Sequence, residues 1–356
     1  MSTPAPPPGK ANSSSDVATK YFDEAYRMCV HYLETLHAED EHMKIVLKRF
    51  RECNDYNVPG GKKTRGLTAV RSMASFKEVP PNDIEYRIAG VVGWCLEWLQ
   101  ASFLVHDDIM DNSVTRRGKT CWYKQEDVGL VAVNDGLYLQ SAVYTILRQF
   151  CRGQTWFRDV IDLFLEIQSN TIHGQALDLE SSCPKEPMEV RLSLGRYKTI
   201  AKYKTSYYSF VLPVRCGLYM AGISSDEIHD LATKILLEMG HIFQVQDDFL
   251  DCFGDPTVTG KVGTDIEDNK CTWLVAKVLQ IDNENILQIL KENYGKSGQE
   301  NVARVKQLYN DLSMVSVYKT YEEEAFDELE RIIKQQNILK KEPFLNLLKL
   351  IYKRER

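Results

Sequence analysis

One acidic motif occurs twice in the chain, and each copy closes a long apolar segment. The first copy spans Asp107–Asp111 and the second spans Asp247–Asp251. On a helix, residues i and i+4 share a face, so the outer aspartates of each copy project together and repel each other. Carboxylates with no set of His or Cys ligands nearby suit Mg²⁺, which takes one or two of them with waters and substrate phosphates. The repeated motif therefore predicts a fold in which two distant helix ends lie face to face and share a metal site.

Helical periodicity dominates the rest of the chain. Apolar residues recur at helical spacing over 17–51, 134–150, 156–179, 190–222 and 225–251. Another helix is predicted to begin at an Asx cap, Asn82, and to end near Asp111. Almost no stretch alternates with the period of two that marks strands. The prediction is an all-α protein in which residues 17–356 form a single large helical bundle around a central cavity.

Composition and charge limit the class of protein. The net charge of −6 over 356 residues argues against a nucleic-acid partner. The nine cysteines show no compact spacing, which favours reduced thiols in a cytoplasmic protein. Residues 1–16 are rich in Pro and Ser and lack the apolar core of a secretion signal, so we expect a disordered tail. The apolar stretch Ile88–Val105 contains Glu97 and Gln100, which predicts a buried core helix rather than a membrane span.

Basic residues follow the first acidic copy and also lie in a glycine-rich turn. Arg116 and Arg117 follow the first copy, and a Gly-Gly-Lys turn at 60–62 precedes Arg65 at a predicted helix start. Backbone N–H groups at a helix N-terminus, together with Lys and Arg, suit a phosphate group. The segments before both acidic copies are apolar, which predicts a metal-rich mouth over a hydrocarbon pocket. A substrate with a diphosphate head and a hydrocarbon tail fits this combination.

A series of short motifs carries a family resemblance that covers nearly the whole chain after the tail. In chain order they are Gly60-Gly61-Lys62-x-x-Arg65-Gly66, Asp107-Asp108-x-x-Asp111, Arg116-Arg117-Gly118, Gln175-x-x-Asp178, Tyr203-Lys204-Thr205, Gln244-x-x-Asp247-Asp248-x-x-Asp251, Gly260-Lys261-x-Gly263-Thr264-Asp265, Asp268-Asn269-Lys270-Cys271 and Tyr352-Lys353-Arg354. The chain resembles the trans-isoprenyl diphosphate synthases, and among them the animal farnesyl diphosphate synthases. This resemblance implies the isoprenoid synthase type of helical bundle.

The resemblance also implies roles for individual residues. Three Mg²⁺ ions and their surroundings would be held by Asp107, Asp108, Asp111, Asp247, Asp248 and Asp251. The allylic diphosphate, dimethylallyl or geranyl, would contact Arg116, Gln175, Asp178, Lys204, Lys261 and Lys270. Isopentenyl diphosphate would bind Lys62, Arg65, Gln100, Arg117 and Arg354. The catalytic set would be Asp107, Lys204, Thr205, Gln244 and Asp247, of which Lys204 (through its carbonyl), Thr205 and Gln244 would face the allylic cation.

The implied reaction is a prenyl transfer. The allylic diphosphate ionises with the help of Mg²⁺, the isopentenyl double bond attacks the carbocation, and a proton is lost to the released pyrophosphate. Farnesyl diphosphate is the expected product. The resemblance also implies a homodimer.

The chain departs from the family pattern just before the first acidic copy. The family commonly has two aromatic residues there, which form the floor that limits chain growth, whereas this chain has Ser102 and Phe103. The lost ring predicts a deeper pocket and some geranylgeranyl diphosphate beside the main product. His106 stands where the family commonly has Ala, and we expect it to be a neutral space-filling residue.

Two alternative functions fit parts of the sequence. A terpene synthase of the same descent would ionise a prenyl diphosphate without adding isopentenyl diphosphate, but such proteins tend to lose the basic residues retained here as Lys62, Arg65 and Arg117. A non-catalytic partner subunit would not need either acidic motif. Retention of both sets of residues favours the prenyltransferase.

Overall fold

The computed structural model describes residues 14–255, 258 and 263–352. Two predicted substrate-binding residues, Lys261 and Arg354, lie outside the described residues. Residues 1–13 of the predicted tail lie outside them as well, and the first helix begins at Ser14, inside that predicted tail.

Helices make up nearly all of the regular structure in the described part of the chain. The α-helices are α1 Ser14–Thr35, α2 Lys44–Asn57, α3 Thr64–Phe76, α4 Asp83–Met110, α5 Ala132–Cys151, α6 Phe157–Ser182, α7 Met188–Arg191, α8 Leu194–Ile200, α9 Leu212–Met220, α10 Asp226–Phe253, α11 Trp273–Val278, α12 Glu284–Asn293, α13 Gln299–Asp311, α14 Met314–Gln335 and α15 Glu342–Ile351. A π-helix spans Ala201–Val211, and short 3₁₀ helices span Glu41–Met43, Trp122–Lys124 and Gly129–Val131. Among the described residues the only strands are β1 Thr115–Arg116 and β2 Lys119–Thr120, which pair antiparallel. The all-α prediction is confirmed.

Helix α4 is the central element of the bundle. A capping box starts it, because the Asn82 side chain accepts from backbone N–H groups while Glu85 bonds back to the Asn82 N–H. The helix packs against α1, α3 and α5. By length and composition α4 is apolar enough to cross a membrane, but 83% of its most apolar window is buried inside the protein. This agrees with the prediction of a buried core helix.

Two clusters of buried apolar side chains form the core. The larger cluster draws on α1 to α6, on α9 and the first half of α10, and on α14 and α15. The smaller cluster lies among α7, α8, the end of α10 and helices α11 to α14. Helix α10 contributes to both clusters and packs along the π-helix. The ends of α4 and α10, which carry the two acidic motifs, therefore belong to well-packed elements.

Two helix predictions were wrong in extent. The predicted helix over 17–51 is interrupted after Thr35, because His37 adopts a left-handed backbone (φ 59°) and Asp40 caps a new 3₁₀ turn through the His42 N–H. The predicted helix over 190–222 is divided at Leu192–Ser193, and its central part is the π-helix. There the Ser206 hydroxyl donates to the carbonyl of Ala201, five residues earlier.

Candidate active site

The first acidic motif sits at the C-terminal end of α4, beside a basic hairpin. Arg116 on β1 donates to Asp108 Oδ1 through Nε at 2.9 Å and through a terminal nitrogen at 2.6 Å. The same guanidinium reaches Asp107 Oδ2 at 3.2 Å. Asp108 is buried, whereas Asp107 is partly exposed on the neighbouring face. The hairpin arginine thus forms ion pairs with two aspartates of the first motif, the buried Asp108 and the partly exposed Asp107.

Two lysines from distant segments meet the outer aspartates. Lys204, in the π-helix, lies 2.7 Å from Asp178 Oδ2 and 3.5 Å from Asp107 Oδ1. Lys270 lies 2.8 Å from Asp111 Oδ1 and 3.2 Å from the same Asp178 oxygen. Asp178, near the end of α6, therefore joins both lysines to the first motif.

Charge in this cluster is set by burial and by the lysines together. Burial opposes ionisation of Asp107, but Lys204, Arg116 and Lys270 outweigh it and hold the pKa of that carboxyl below its ordinary value. For Asp178 the same balance against burial, through Lys204 and Lys270, also lowers the pKa. Burial and the neighbouring Asp107 raise the pKa of Asp111. The site contains carboxylates of different proton affinity although they share one motif.

A close approach of two backbones places Lys204 beside α6. A Cβ atom added at Gly174 would lie 2.2 Å from the Lys204 backbone nitrogen, so only glycine fits there. At the next position on α6, the Gln175 side chain donates to Asp107 Oδ1 at 3.1 Å. The Gly-Gln pair at 174–175 thus lets α6, the π-helix and α4 converge.

The second acidic motif, on α10, is joined to the first through two chains of contacts. Thr205 Oγ1 donates to Gln244 Oε1 at 2.6 Å, and the Gln244 amide donates to Asp248 Oδ1 at 2.8 Å. The Trp273 backbone N–H donates to Asp248 Oδ2 at 2.7 Å, three residues after the lysine that bonds Asp111. The segment 270–273 therefore touches both motifs, which lie at one end of the same bundle.

Asp248 is more deeply buried than the outer aspartates. Its burial raises the pKa to about 7, against the hydrogen bonds from Trp273 and Gln244, which lower it. Asp251 Oδ1 accepts the Asp265 backbone N–H at 3.1 Å, which connects the motif to the following loop.

A basic group lies apart from the acidic cluster, at the start of α3. Arg65 donates to the hydroxyls of Tyr208 and Ser209, both neutral partners. Arg117, with a left-handed backbone (φ 55°), donates to the Asn57 carbonyl and packs on the Gly60–Gly61 turn. Burial lowers the pKa of Arg117, opposed by the nearby Glu97. Because these guanidinium groups hydrogen-bond neutral oxygens, their charge is available to an anion.

Comparison with known proteins agrees with this arrangement. The polyprenyl synthetase family model matches residues 47–312. The chain belongs to the polyprenyl synthetase family. It is 49% identical to the farnesyl pyrophosphate synthase of Gallus gallus over 310 residues, covering 86% of this chain and 84% of the relative. It is 45% identical to the farnesyl pyrophosphate synthase of Homo sapiens over 353 residues, covering 97% of this chain and 84% of the relative.

A solved structure resembles this protein over almost its whole length. The farnesyl diphosphate synthase of T. brucei, complexed with a bisphosphonate, superposes with a TM-score of 0.88 at 33% identity. The match covers 95% of this chain and 100% of that chain. The resemblance inferred from the short motifs is confirmed.

The carboxylates of the two acidic motifs suit a metal that needs few protein ligands. Among the described residues, no group of three or more His, Cys, Asp or Glu side chains is arranged to hold an ion by itself. Mg²⁺ typically takes one or two carboxylates and completes its shell with water and substrate phosphate. The all-oxygen donor set at the ends of α4 and α10 therefore fits Mg²⁺ bound together with a diphosphate.

The residues predicted to limit chain growth lie on α4, before the first motif. Phe103 meets the Tyr208 ring edge to face, with centroids 5.6 Å apart. Ser102 is buried, at 1% exposure, on the neighbouring face. Gln100, predicted for the isopentenyl site, is also buried.

Several residues that position the site side chains were not predicted from the sequence. Tyr208 and Ser209 orient Arg65, and the Trp273 backbone holds Asp248. Buried Glu97 accepts the Gly66 N–H at 2.8 Å and so fixes the first turn of α3. Only Glu97 left a signal in the sequence, as an acidic residue inside an otherwise apolar segment. The others act through backbone atoms or through neutral hydroxyls, which have no motif of their own.

Proposed function

We propose that this protein condenses isopentenyl diphosphate with dimethylallyl or geranyl diphosphate to give farnesyl diphosphate. The segment 270–273 carries the proposal, because it contacts both acidic motifs at once, through Lys270 to Asp111 and Trp273 to Asp248. Arg65 and Arg117 supply a separate basic site for a second diphosphate. Two separate groups of basic residues, one within the acidic cluster and one at the start of α3, support a two-substrate transfer rather than a terpene synthase or a partner subunit.

Enzymes of this family use Mg²⁺, and we assign three ions to this chain. Asp107, Asp111 and Asp247 would bind them, and Asp108, Asp178, Asp248 and Asp251 would support the cluster. When bound, Mg²⁺ acts as a Lewis acid that stabilises negative charge on the departing pyrophosphate.

The allylic diphosphate lies, in this proposal, against the cationic side chains of the acidic cluster. Arg116, Lys204 and Lys270 already contact its carboxylates and would share their hydrogen bonds with phosphate oxygens. Gln175 orients Asp107, and Lys261 is a further proposed contact outside the described residues.

Isopentenyl diphosphate occupies the basic group at the start of α3. Lys62 comes from the turn before that helix, Arg65 from its first turn, Arg117 from the hairpin, and Gln100 from α4. Arg354, outside the described residues, is the remaining proposed contact. Fork-shaped guanidinium groups suit a diphosphate bound without metal.

The reaction breaks the C–O bond between the allylic carbon and its diphosphate. The Thr205 hydroxyl oxygen, the Lys204 carbonyl and the Gln244 amide oxygen would face the resulting cation and stabilise its charge. The isopentenyl double bond then forms the new C–C bond, and the released pyrophosphate takes the proton. Apolar walls from α4 and α10 exclude water, which would otherwise capture the cation.

Product analysis with isopentenyl diphosphate and each allylic diphosphate tests this function. We expect farnesyl diphosphate from dimethylallyl and from geranyl diphosphate, and loss of product when EDTA removes the metal. Asp107→Asn should lower kcat on the order of 10²–10³-fold, as expected for a lost electrostatic contact to the leaving group. Hydrolysed or cyclised products without incorporation of isopentenyl diphosphate would instead identify a terpene synthase.

We also propose that residues 17–356 act as one domain in a cytoplasmic homodimer. Exposed apolar side chains on two adjacent helices support a second copy as the partner: Val133 and Leu137 on α5, and Leu165 and Ile172 on α6. Tyr144 on α5 donates to Gln168 on α6 at 2.7 Å, which holds the two helices in one surface.

A further inference from the structure

Ser102 alone predicts a hydrocarbon pocket that continues past the length of farnesyl diphosphate. It lies on α4, one turn and a residue before Asp107, where the aromatic pattern of the family is broken. Its side chain is 1% exposed, so neighbouring atoms already cover it. The identity of those atoms decides whether the pocket is deeper.

His106 covers the turn that contains Ser102. Its Nδ1 lies 2.9 Å from the Ser102 carbonyl oxygen, and its Nε2 lies 3.3 Å from the Val133 carbonyl oxygen on α5. Helical side chains lean toward the N-terminus of their helix, so a residue covers the turn before its own Cα. The imidazole therefore lies over the position from which an aromatic side chain at 102 would extend.

Gly136 on α5 is the residue that admits this ring. A Cβ atom at position 136 would lie 2.3 Å from His106 Cε1, 2.6 Å from Nε2 and 2.9 Å from Nδ1. These distances are too short for any side chain at 136 unless the imidazole moves. The helical geometry of α5 gives no other reason for glycine here, since Gly136 lies inside the helix, where glycine is unfavourable.

We propose that His106, seated on Gly136, is a specificity-determining residue that closes the pocket left open by Ser102 and stops chain growth at farnesyl diphosphate. The inference rests on the proposed prenyltransferase function. The imidazole acts here by its bulk, since both ring nitrogens lie against backbone carbonyls. The imidazole at position 106 would thereby replace the aromatic ring that the family commonly has at position 102, one helical turn earlier.

Chain-length assays with farnesyl diphosphate as the allylic substrate test the inference. Wild-type protein should barely extend farnesyl diphosphate, and His106→Ala should raise kcat/KM for this extension about tenfold, the effect of a small change in an apolar pocket. His106→Leu, which keeps the bulk without the ring nitrogens, should remain a farnesyl diphosphate producer. Gly136→Ala, which displaces the ring, should resemble His106→Ala.

Two further variants distinguish an opened pocket from a general loss of order in the site as the cause of a longer product. Ser102→Phe in the His106→Ala background should restore the product length. His173→Ala is a matched control, because His173 makes the same bond to the carbonyl four residues earlier, at 2.8 Å, on the exposed side of α6. Its product length should not change.

These outcomes distinguish a failure of the proposed pocket closure by His106 from a failure of the proposed prenyltransferase function. If neither His106→Ala nor Gly136→Ala lengthens the product, or if wild-type protein extends farnesyl diphosphate readily, the pocket is not closed by His106. If wild-type protein joins no isopentenyl diphosphate to any allylic substrate, the prenyltransferase function itself is rejected, and this inference with it.

Discussion

Aspartates of one repeated motif have different protonation behaviour because each meets different neighbours. Asp107 faces Lys204, Arg116 and Lys270, which keep it ionised. Asp248, with the same place in the motif as Asp108, is buried, and its pKa rises to about 7. A motif therefore identifies candidate ligands, but the charge on each depends on its own surroundings.

His241 illustrates the same rule outside the site and leads to a prediction about acid stability. Burial, and then Lys198, lower the pKa of His241 to about 4 from 6.5. Because the folded pKa is lower, the unfolded chain binds more protons between these values. Stability from neutral His241 is therefore complete above pH 6.5 and is lost as the pH falls toward 4.

We expect His241→Gln to flatten this dependence, with an effect of about 1–2 kcal/mol at pH 4 after allowance for partial solvent contact. Urea unfolding at pH 7 and at pH 4 to 5 measures the difference between variant and wild type. His31→Gln, on the exposed face of α1, is the control and should follow the wild-type curve. Equal pH dependence of wild type and His241→Gln would show that His241 is not kept neutral by folding.

At the scale of elements, a partly buried ion pair connects the two segments that carry the proposed isopentenyl site. Asp135, 0% exposed on α5, accepts Arg49 Nε at 2.9 Å and a terminal nitrogen of Arg49 at 2.7 Å. It also accepts Trp122 Nε1 at 2.9 Å. Arg49 lies on α2, which leads into the glycine turn, and Trp122 directly follows the hairpin that carries Arg116 and Arg117.

We expect Asp135→Asn to raise KM for isopentenyl diphosphate several-fold and to leave KM for geranyl diphosphate nearly unchanged. The stability loss should be about 2 kcal/mol, less than for a fully buried pair, because Arg49 remains partly exposed. Steady-state kinetics with each substrate varied in turn measures the split. Val143→Ala, also buried on α5, is the control for lost stability alone. Parallel increases in both KM values would mean that Asp135 only stabilises the fold.

At the scale of the whole molecule, α5 and α6 expose apolar side chains that form the proposed homodimer interface. Val133, Leu137, Leu165 and Ile172 are each more than two-fifths exposed, on helices that also support the site. Association of two copies through these helices would bury this surface and steady α6, whose far end carries Asp178.

The double variant Leu165→Glu with Ile172→Glu should therefore be monomeric, because charges on both copies would have to be buried together. Light scattering after size-exclusion chromatography gives the mass in solution. Ile338→Glu, at an exposed apolar residue before α15, should keep the wild-type mass. A wild-type monomer, or a dimer that survives the double variant, would contradict this interface.

The sequence by itself determined the all-α class, the family and the two acidic motifs. These features depend on spacing along the chain: i, i+4 placement of aspartates, the Asn82 cap, and glycine next to lysine at 60–62. Local steric and hydrogen-bonding preferences are enough to express them. The roles of individual site residues remain proposals that the experiments above can test.

Only the tertiary structure decided which side chains meet across helices. The bond from Trp273 to Asp248, the contacts of Asp135 with Arg49 and Trp122, and the packing of His106 on Gly136 all join residues that tertiary packing brings together. Their energies come from burial and close packing, which depend on neighbours that the local sequence does not specify. For that reason Ser102, in place of the family's aromatic residue, predicted a deeper pocket, whereas the packing of His106 on Gly136 is the basis for the proposal that this pocket is closed.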